Sequence, residues 1–239
     1  GLPPSRSPGK APTATIPGSP YHYVQVKGFA GTPAGANAEG PVAAPVTEEI
    51  ARYISQEKLE QPAVIGHSMG GTMAMMLAAR HPGSVSKIMV VDQIPFMGAM
   101  FGPPGTTAES IKPTADALIA QFRASSKEES EKRLVTMSTG MVRNEAHRQR
   151  VIAEGRASDP EVTRNSFHEL IVTDLRPELS RINVPATVLY VTPAGVPFTD
   201  AQMDGFYKAA YAPLKGVKLI RIPNSAHFIM SDNPERYRA

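Results

Sequence analysis

The chain predicts an α/β fold, a mostly parallel sheet flanked by helices and interrupted by a helical insertion, and three observations carry that expectation. A short apolar run, Ala63-Val64-Ile65, leads through Gly66-His-Ser-Met-Gly70 straight into residues 72–80, a stretch without a Gly or Pro breaker. Strand-like and helix-like segments alternate on both sides of that unit, which is the rhythm of parallel strands joined by crossover helices. Between about residues 96 and 179 the β-branched runs vanish, helical periodicity takes over, and strand patterns resume afterwards.

Taken in order, residues 1–20 are rich in Pro, Gly, Ser and Thr without periodicity and read as loop. Residues 21–26 alternate like a strand. Val46, Ile50, Tyr53 and Ile54 fall at helical spacing within residues 46–59. The apolar residues 63–65 read as a buried strand, residues 72–80 as a helix, and residues 85–91 as the next buried strand after a short connection. Helices are expected at residues 115–124, 127–137, 145–153 and 162–170. Strands return at 186–191 and 217–222, separated by a helix over about residues 201–212 that Thr199 and Asp200 would cap.

The turn at residues 66–70 is where chemistry is expected. A serine on a very tight strand-to-helix turn must take a strained backbone conformation, so the flanking Gly66 and Gly70 are expected to need the absence of a side chain. Ser68 would then stand clear of the sheet as a nucleophile. The helix beginning near Met69 aims its first amides at the place where negative charge develops on an attacked carbonyl oxygen.

On these residues the chain resembles the α/β-hydrolase superfamily. Gly66-His-Ser-Met-Gly-Gly71 is similar to the form found in many bacterial esterases and carbon-carbon bond hydrolases. Gly28-Phe-Ala-Gly-Thr-Pro33 resembles the loop after the strand that precedes the nucleophile unit, Lys87-Ile-Met-Val-Val-Asp92 the next strand, and Pro223-Asn-Ser-Ala-His-Phe228 the histidine loop. The resemblance implies an α/β-hydrolase fold with residues 1–95 and 180–239 as the core and residues 96–179 as a helical cap over the site. Met97, Met100, Phe101, Met137 and Met141 would line an adaptable apolar pocket there. It also implies strands upstream of Gly1 and a closing helix after Tyr237-Arg-Ala239, so N-terminal strands are expected to be missing from this sequence.

His227 is the expected general base, because it follows a strand directly and an imidazole can both take the Ser68 proton and return it to a leaving group. His22, His81, His147 and His168 occupy less favourable places, and His67 is expected to pack or to contact the cap. The resemblance usually puts the acid in the loop after residues 186–191, but Thr192-Pro-Ala-Gly-Val-Pro197 carries no carboxylate. Asp92, at a strand end where a minority of the superfamily places its acid, is therefore the preferred partner for the Nδ1 hydrogen of His227, with Asp200 as the alternative acid. For the oxyanion hole the Met69 amide is one donor, and the resemblance makes Leu2 the other.

Composition sets bounds on partners. At 239 residues, 41% hydrophobic and 20% charged, the chain can bury one sizeable core, and no run is apolar and long enough to span a membrane. The net charge of +3 is small, and Arg143, Arg148, Arg150 and Arg156 sit in a mixed-charge region, so nucleic acid is not an expected partner. The absence of cysteine excludes disulfides, thiol nucleophiles and thiolate metal sites. No metal-ligand spacing or phosphate-cradling loop is present, so neither metal nor cofactor is expected. Without a signal peptide in the sequence, the compartment stays open between cytoplasm and, after removal of a leader, periplasm or medium. The expected reaction is hydrolysis of small to medium carboxylic esters through an acyl-enzyme, by a protein that can equally be a homo-oligomer. The alternatives are a carbon-carbon bond hydrolase or perhydrolase using the same serine, and a catalytically weak ligand-binding protein on the same scaffold.

Overall fold

In the computed structural model, which describes residues 20–239, four parallel strands lie side by side in chain order: β1 (Ala63–His67), β2 (Lys87–Val91), β3 (Ala186–Tyr190) and β4 (Lys218–Arg221). Gly66 pairs with Val90, Val91 with Leu189 and Tyr190 with Arg221, so the C-terminal ends of all four strands finish along one edge. Parallel strands need crossovers that cover the sheet faces, and the helices do this here.

On one face α1 (Ala43–Gln56), α2 (Met69–Arg80) and α7 (Asp200–Ala210) bury the main core, where Val46, Met76, Leu77, Val90, Val188 and Tyr211 are almost fully enclosed. On the other, Val91, Leu189, Val191 and Ile222 meet Ile229 of α8 (Ile229–Asp232) and Tyr237 of α9 (Pro234–Arg238). The middle of α2 is apolar all round and fully buried, as a helix sandwiched between layers must be.

Between β2 and β3 the chain forms α3 (Ala108–Ala124), α4 (Lys127–Met141), α5 (Glu145–Ala157) and α6 (Pro160–Val172). Helix α3 starts seven residues before the periodicity suggests, because a reciprocal Thr107–Ser110 capping box nucleates it and Pro113 is absorbed in its early turns. The helix-rich segment is fastened to the sheet layer by polar contacts. Glu169 of α6, a buried carboxylate, accepts from the amides of Val42, Ala43 and Ala44 and so caps α1 from across the molecule. The Asp159 amide donates to Gly28 O at 2.7 Å, and the Ala30 amide to the Ser158 hydroxyl at 3.0 Å.

Two expectations need correction. Residues 21–26 alternate in polarity yet form no strand; Tyr21, Tyr23 and Val24 are exposed, and among the described residues no neighbouring strand offers them a ladder. Residues 63–65 do form a strand, but it is not buried. Strand β1 is an outer strand of the described sheet, and Ile65 is 53% exposed.

Candidate active site

The sharpest feature of the chain lies where β1 turns into α2. Ser68 has φ 54° and ψ −121°, a conformation that L-residues rarely adopt and that costs on the order of 1–3 kcal/mol. Its amide donates to Val91 O at 3.0 Å, and its carbonyl accepts from the amides of Gly71 and Thr72. The tightness of the turn is set by Gly66, where a Cβ would stand 2.0 Å from the Gly70 carbonyl oxygen and 2.7 Å from the Gly71 nitrogen. The expectation for Gly70 is corrected: apart from its chain neighbours and the backbone of its own helix, no atom lies within 4 Å of a Cβ placed there. The second constrained glycine is Gly71, whose Cβ would come within 2.9 Å of Val90 and 3.1 Å of Gln93, because the first turn of α2 lies directly against β2. The amides of Met69 and Gly70 belong to that first turn, where no preceding helical carbonyl faces them.

One strand over, Asp92 directly follows β2, also at positive φ (49°), with its amide donating to Leu189 O at 2.7 Å. Its carboxylate is well held. Oδ2 accepts from His227 Nδ1 at 2.6 Å, while Oδ1 accepts from the Val191 amide and from the Tyr207 hydroxyl, each at 3.3 Å. Tyr207 is buried in α7 and stacks on Tyr190 with ring centroids 4.1 Å apart. Burial first and the Asp92 charge second push its phenol well above the usual tyrosine range, so it stays protonated and keeps donating.

Asp200 is engaged elsewhere. At the start of α7 it accepts from the Thr192 hydroxyl at 2.7 Å and pairs with Arg221 at 2.9 Å. The structure therefore brings Asp92, and not Asp200, to His227. Leu2 lies outside the described residues.

His227 sits in the loop after β4, half-buried, and its carbonyl accepts from His67 Nε2 at 2.9 Å. The two imidazole centroids are 4.5 Å apart, and the Phe228 ring also packs 4.5 Å from His67. That enclosure, with the nearby His227 second, lowers the His67 pKa to about 3, against the opposing pull of the His227 carbonyl. His67 is thus a neutral Nε2–H donor that tethers the turn to the histidine loop while its ring packs against His227 and Phe228. Among the described residues no hydrogen bond joins the Ser68 hydroxyl to the His227 ring. Ser68, Asp92 and His227 nevertheless all lie at the C-terminal edge of the sheet, and the chain neighbour of Ser68 touches His227.

Three of the other four histidines have side-chain partners of their own, His22 with Tyr53, His81 with Glu48 and His168 with Asp116, whereas the Nδ1 of His147 is buried without a partner among the described residues. Among the described residues no three His, Asp or Glu side chains converge as metal ligands would. Tyr207 and the tethering role of His67 were not anticipated. The spacing of Met203, Tyr207 and Tyr211 announces a buried face of α7, but nothing in it says that the face ends beneath Asp92.

Residues 15–239 match the Alpha/beta hydrolase family. Similar curated proteins include the pimeloyl-[acyl-carrier protein] methyl ester esterases of Salmonella paratyphi A and Salmonella enteritidis, 27% identical over 168 residues, or 70% of this chain and 61% of theirs. The chain thus matches under two thirds of the length of those relatives. Among solved structures, an esterase from Exiguobacterium antarcticum superposes with a TM-score of 0.69 at 23% identity, covering 90% of this chain and 77% of that one. The enol-lactonase from Burkholderia xenovorans gives 0.64 at 17%, covering 91% and 78%. At these identities the likeness is one of fold.

Proposed function

The chain belongs to the alpha/beta hydrolase family, and from that premise we propose that it is a serine hydrolase cleaving small to medium carboxylic esters through an acyl-enzyme. The observation that carries this reading is the 2.6 Å bond between His227 Nδ1 and Asp92 Oδ2, made at the sheet edge where Ser68 occupies its strained turn. Helices α3–α6 are read as the cap of residues 96–179, with residues 20–95 and 180–239 as the described core; Met100, Phe101 and Met137, all large and exposed, support an apolar acyl pocket beneath it.

In the proposed cycle Asp92 fixes the Nδ1–H tautomer of His227, leaving Nε2 bare to accept a proton. The Ser68 hydroxyl proton passes to His227 Nε2 as Oγ bonds to the ester carbonyl carbon. The carbonyl π electrons move to oxygen, where the Met69 amide and the α2 dipole stabilise them. Collapse breaks the bond to the alkoxy oxygen, which leaves as the alcohol with the proton from His227. A water then repeats the sequence, giving its proton to His227 and releasing the carboxylic acid and the Ser68 hydroxyl. Because His67 is neutral, it adds no charge that would oppose the imidazolium formed in each half.

A fluorophosphonate probe with mass mapping of the adduct tests this: intact, folded protein should be labelled at Ser68 and should hydrolyse p-nitrophenyl butyrate. Folded protein that takes no label at Ser68 refutes the reading. Turnover of a vinylogous diketone in preference to the ester would move the assignment to carbon-carbon bond hydrolysis by the same serine.

A further inference from the structure

Resting on the reading of Ser68 and His227 above, we propose that Asp232 is a positioning residue whose single carboxylate locks the His227 loop and the turn between α4 and α5 to one another. The backbone of that loop is pinned at three consecutive residues. The Ala226 amide donates to Asp232 Oδ2 at 2.9 Å, the His227 carbonyl accepts from His67 at 2.9 Å, and the Phe228 amide donates to Met141 O at 3.1 Å. The other oxygen of Asp232, Oδ1, accepts from the amides of Arg143 at 2.9 Å and Asn144 at 2.8 Å.

One half-buried side chain thus gathers three amides from two segments about 80 residues apart in the chain, and one of those amides belongs to the residue before His227. A carboxylate suits the task because it offers acceptors only, on both oxygens. An asparagine of the same shape offers one oxygen and turns a donor toward the amides it should receive. The consequence is mechanical. The height of the His227 ring over Ser68 follows the peptide planes on either side of it, and those planes are referenced through Asp232 and Met141 to the end of α4 and its following turn. Displacement of that turn carries the histidine with it, so the helical segment and the base are set as one unit.

The test is Asp232→Asn in the full chain, with rates normalised to the sites titrated by the fluorophosphonate. We expect kcat per titrated site to fall by roughly 10- to 100-fold while KM changes less than about twofold, as a misplacement of about 1 Å would produce. Amide hydrogen exchange should quicken together at Arg143, Asn144 and Ala226. Wild-type kcat per site, or a loss of activity that only tracks the loss of titratable sites, overturns the proposal, since a merely structural carboxylate would behave so. Should Asp232→Asn not fold, Asp232→Glu is measured the same way, and the wild-type protein is examined for protection of the three amides; their free exchange also overturns it. Failure of wild-type labelling at Ser68 would instead sink the serine reading and leave the exchange result standing by itself.

Discussion

Gly66 and Gly70 flank the same serine, look equivalent in the sequence, and should respond oppositely to alanine. At Gly66 the new Cβ would stand 2.0 Å from the Gly70 carbonyl oxygen, 2.3 Å from its carbon and 2.7 Å from the Gly71 nitrogen. All three atoms are backbone, so no side chain can rotate away, and relief requires opening the turn that holds Ser68. Overpacking of this kind costs about 3 kcal/mol or more, the upper end of what extra methylenes cost in tight cores. At Gly70 the Cβ meets nothing within 4 Å apart from its chain neighbours and the backbone of its own helix, and the residue lies in the first turn of α2 without a positive φ. Replacing glycine by alanine in a helix is favourable by about 0.5–1 kcal/mol. The two variants should therefore differ by at least about 3 kcal/mol, which for a chain of this size corresponds to roughly 10 °C in melting temperature. Urea titration and scanning calorimetry of Gly66→Ala, Gly70→Ala and the parent measure this directly. If Gly66→Ala lies within 1 kcal/mol of the parent, or Gly70→Ala falls as far as Gly66→Ala, then the geometry of the turn is not as argued.

Asp92→Asn should lower kcat by about 10³–10⁴-fold through loss of the correct His227 tautomer, whereas Asp200→Asn, bonded to Thr192 and Arg221, should cost no more than a few-fold; steady-state kinetics on p-nitrophenyl butyrate compare them. Tyr207→Phe removes one of three bonds to the Asp92 carboxylate and should destabilise by about 1 kcal/mol, with kcat reduced and KM little changed; unaltered kcat would show that Val191 and His227 suffice to hold the acid. The fold keeps His67 neutral down to about pH 3, while the unfolded chain protonates near 6.5, so between those values the unfolded state binds the extra proton and stability falls as pH drops. Discounted for the residual exposure of the ring, the loss from pH 6.5 to 4.5 is on the order of 2 kcal/mol, and the acid-side slope of urea stability should be shallower in His67→Asn.

Much of the site was readable from local pattern because its physics is local. A strand, a glycine, a serine and a breaker-free helix specify the Ser68 turn within about a dozen residues, and the capping of α7 by Thr199 is equally short-ranged. The limits of that reading are instructive. The alternation of residues 21–26 and the apolar run at 63–65 say which side chains could face a core, but burial depends on what lies alongside, and β1 has a strand on one side only among the described residues. Of the two flanking glycines Gly66 is constrained as expected, because its neighbours are local, whereas Gly71 rather than Gly70 is the second, because Val90 and Gln93, some twenty positions away, press on it.

By itself, then, the order of residues determined the alternating parallel architecture, the helical stretch in its middle and the strained serine turn, since each follows from periodicity and backbone sterics over a few neighbours. Only the tertiary structure shows which of the two aspartates reaches His227, because Asp92 follows β2 beside the histidine loop whereas Asp200 begins α7 and is bonded to Thr192 and Arg221. It also recruited Tyr207, His67 and Asp232, whose long-range hydrogen bonds span 88 to 160 positions, and such bonds are directed by where packed layers place an atom rather than by any spacing along the chain.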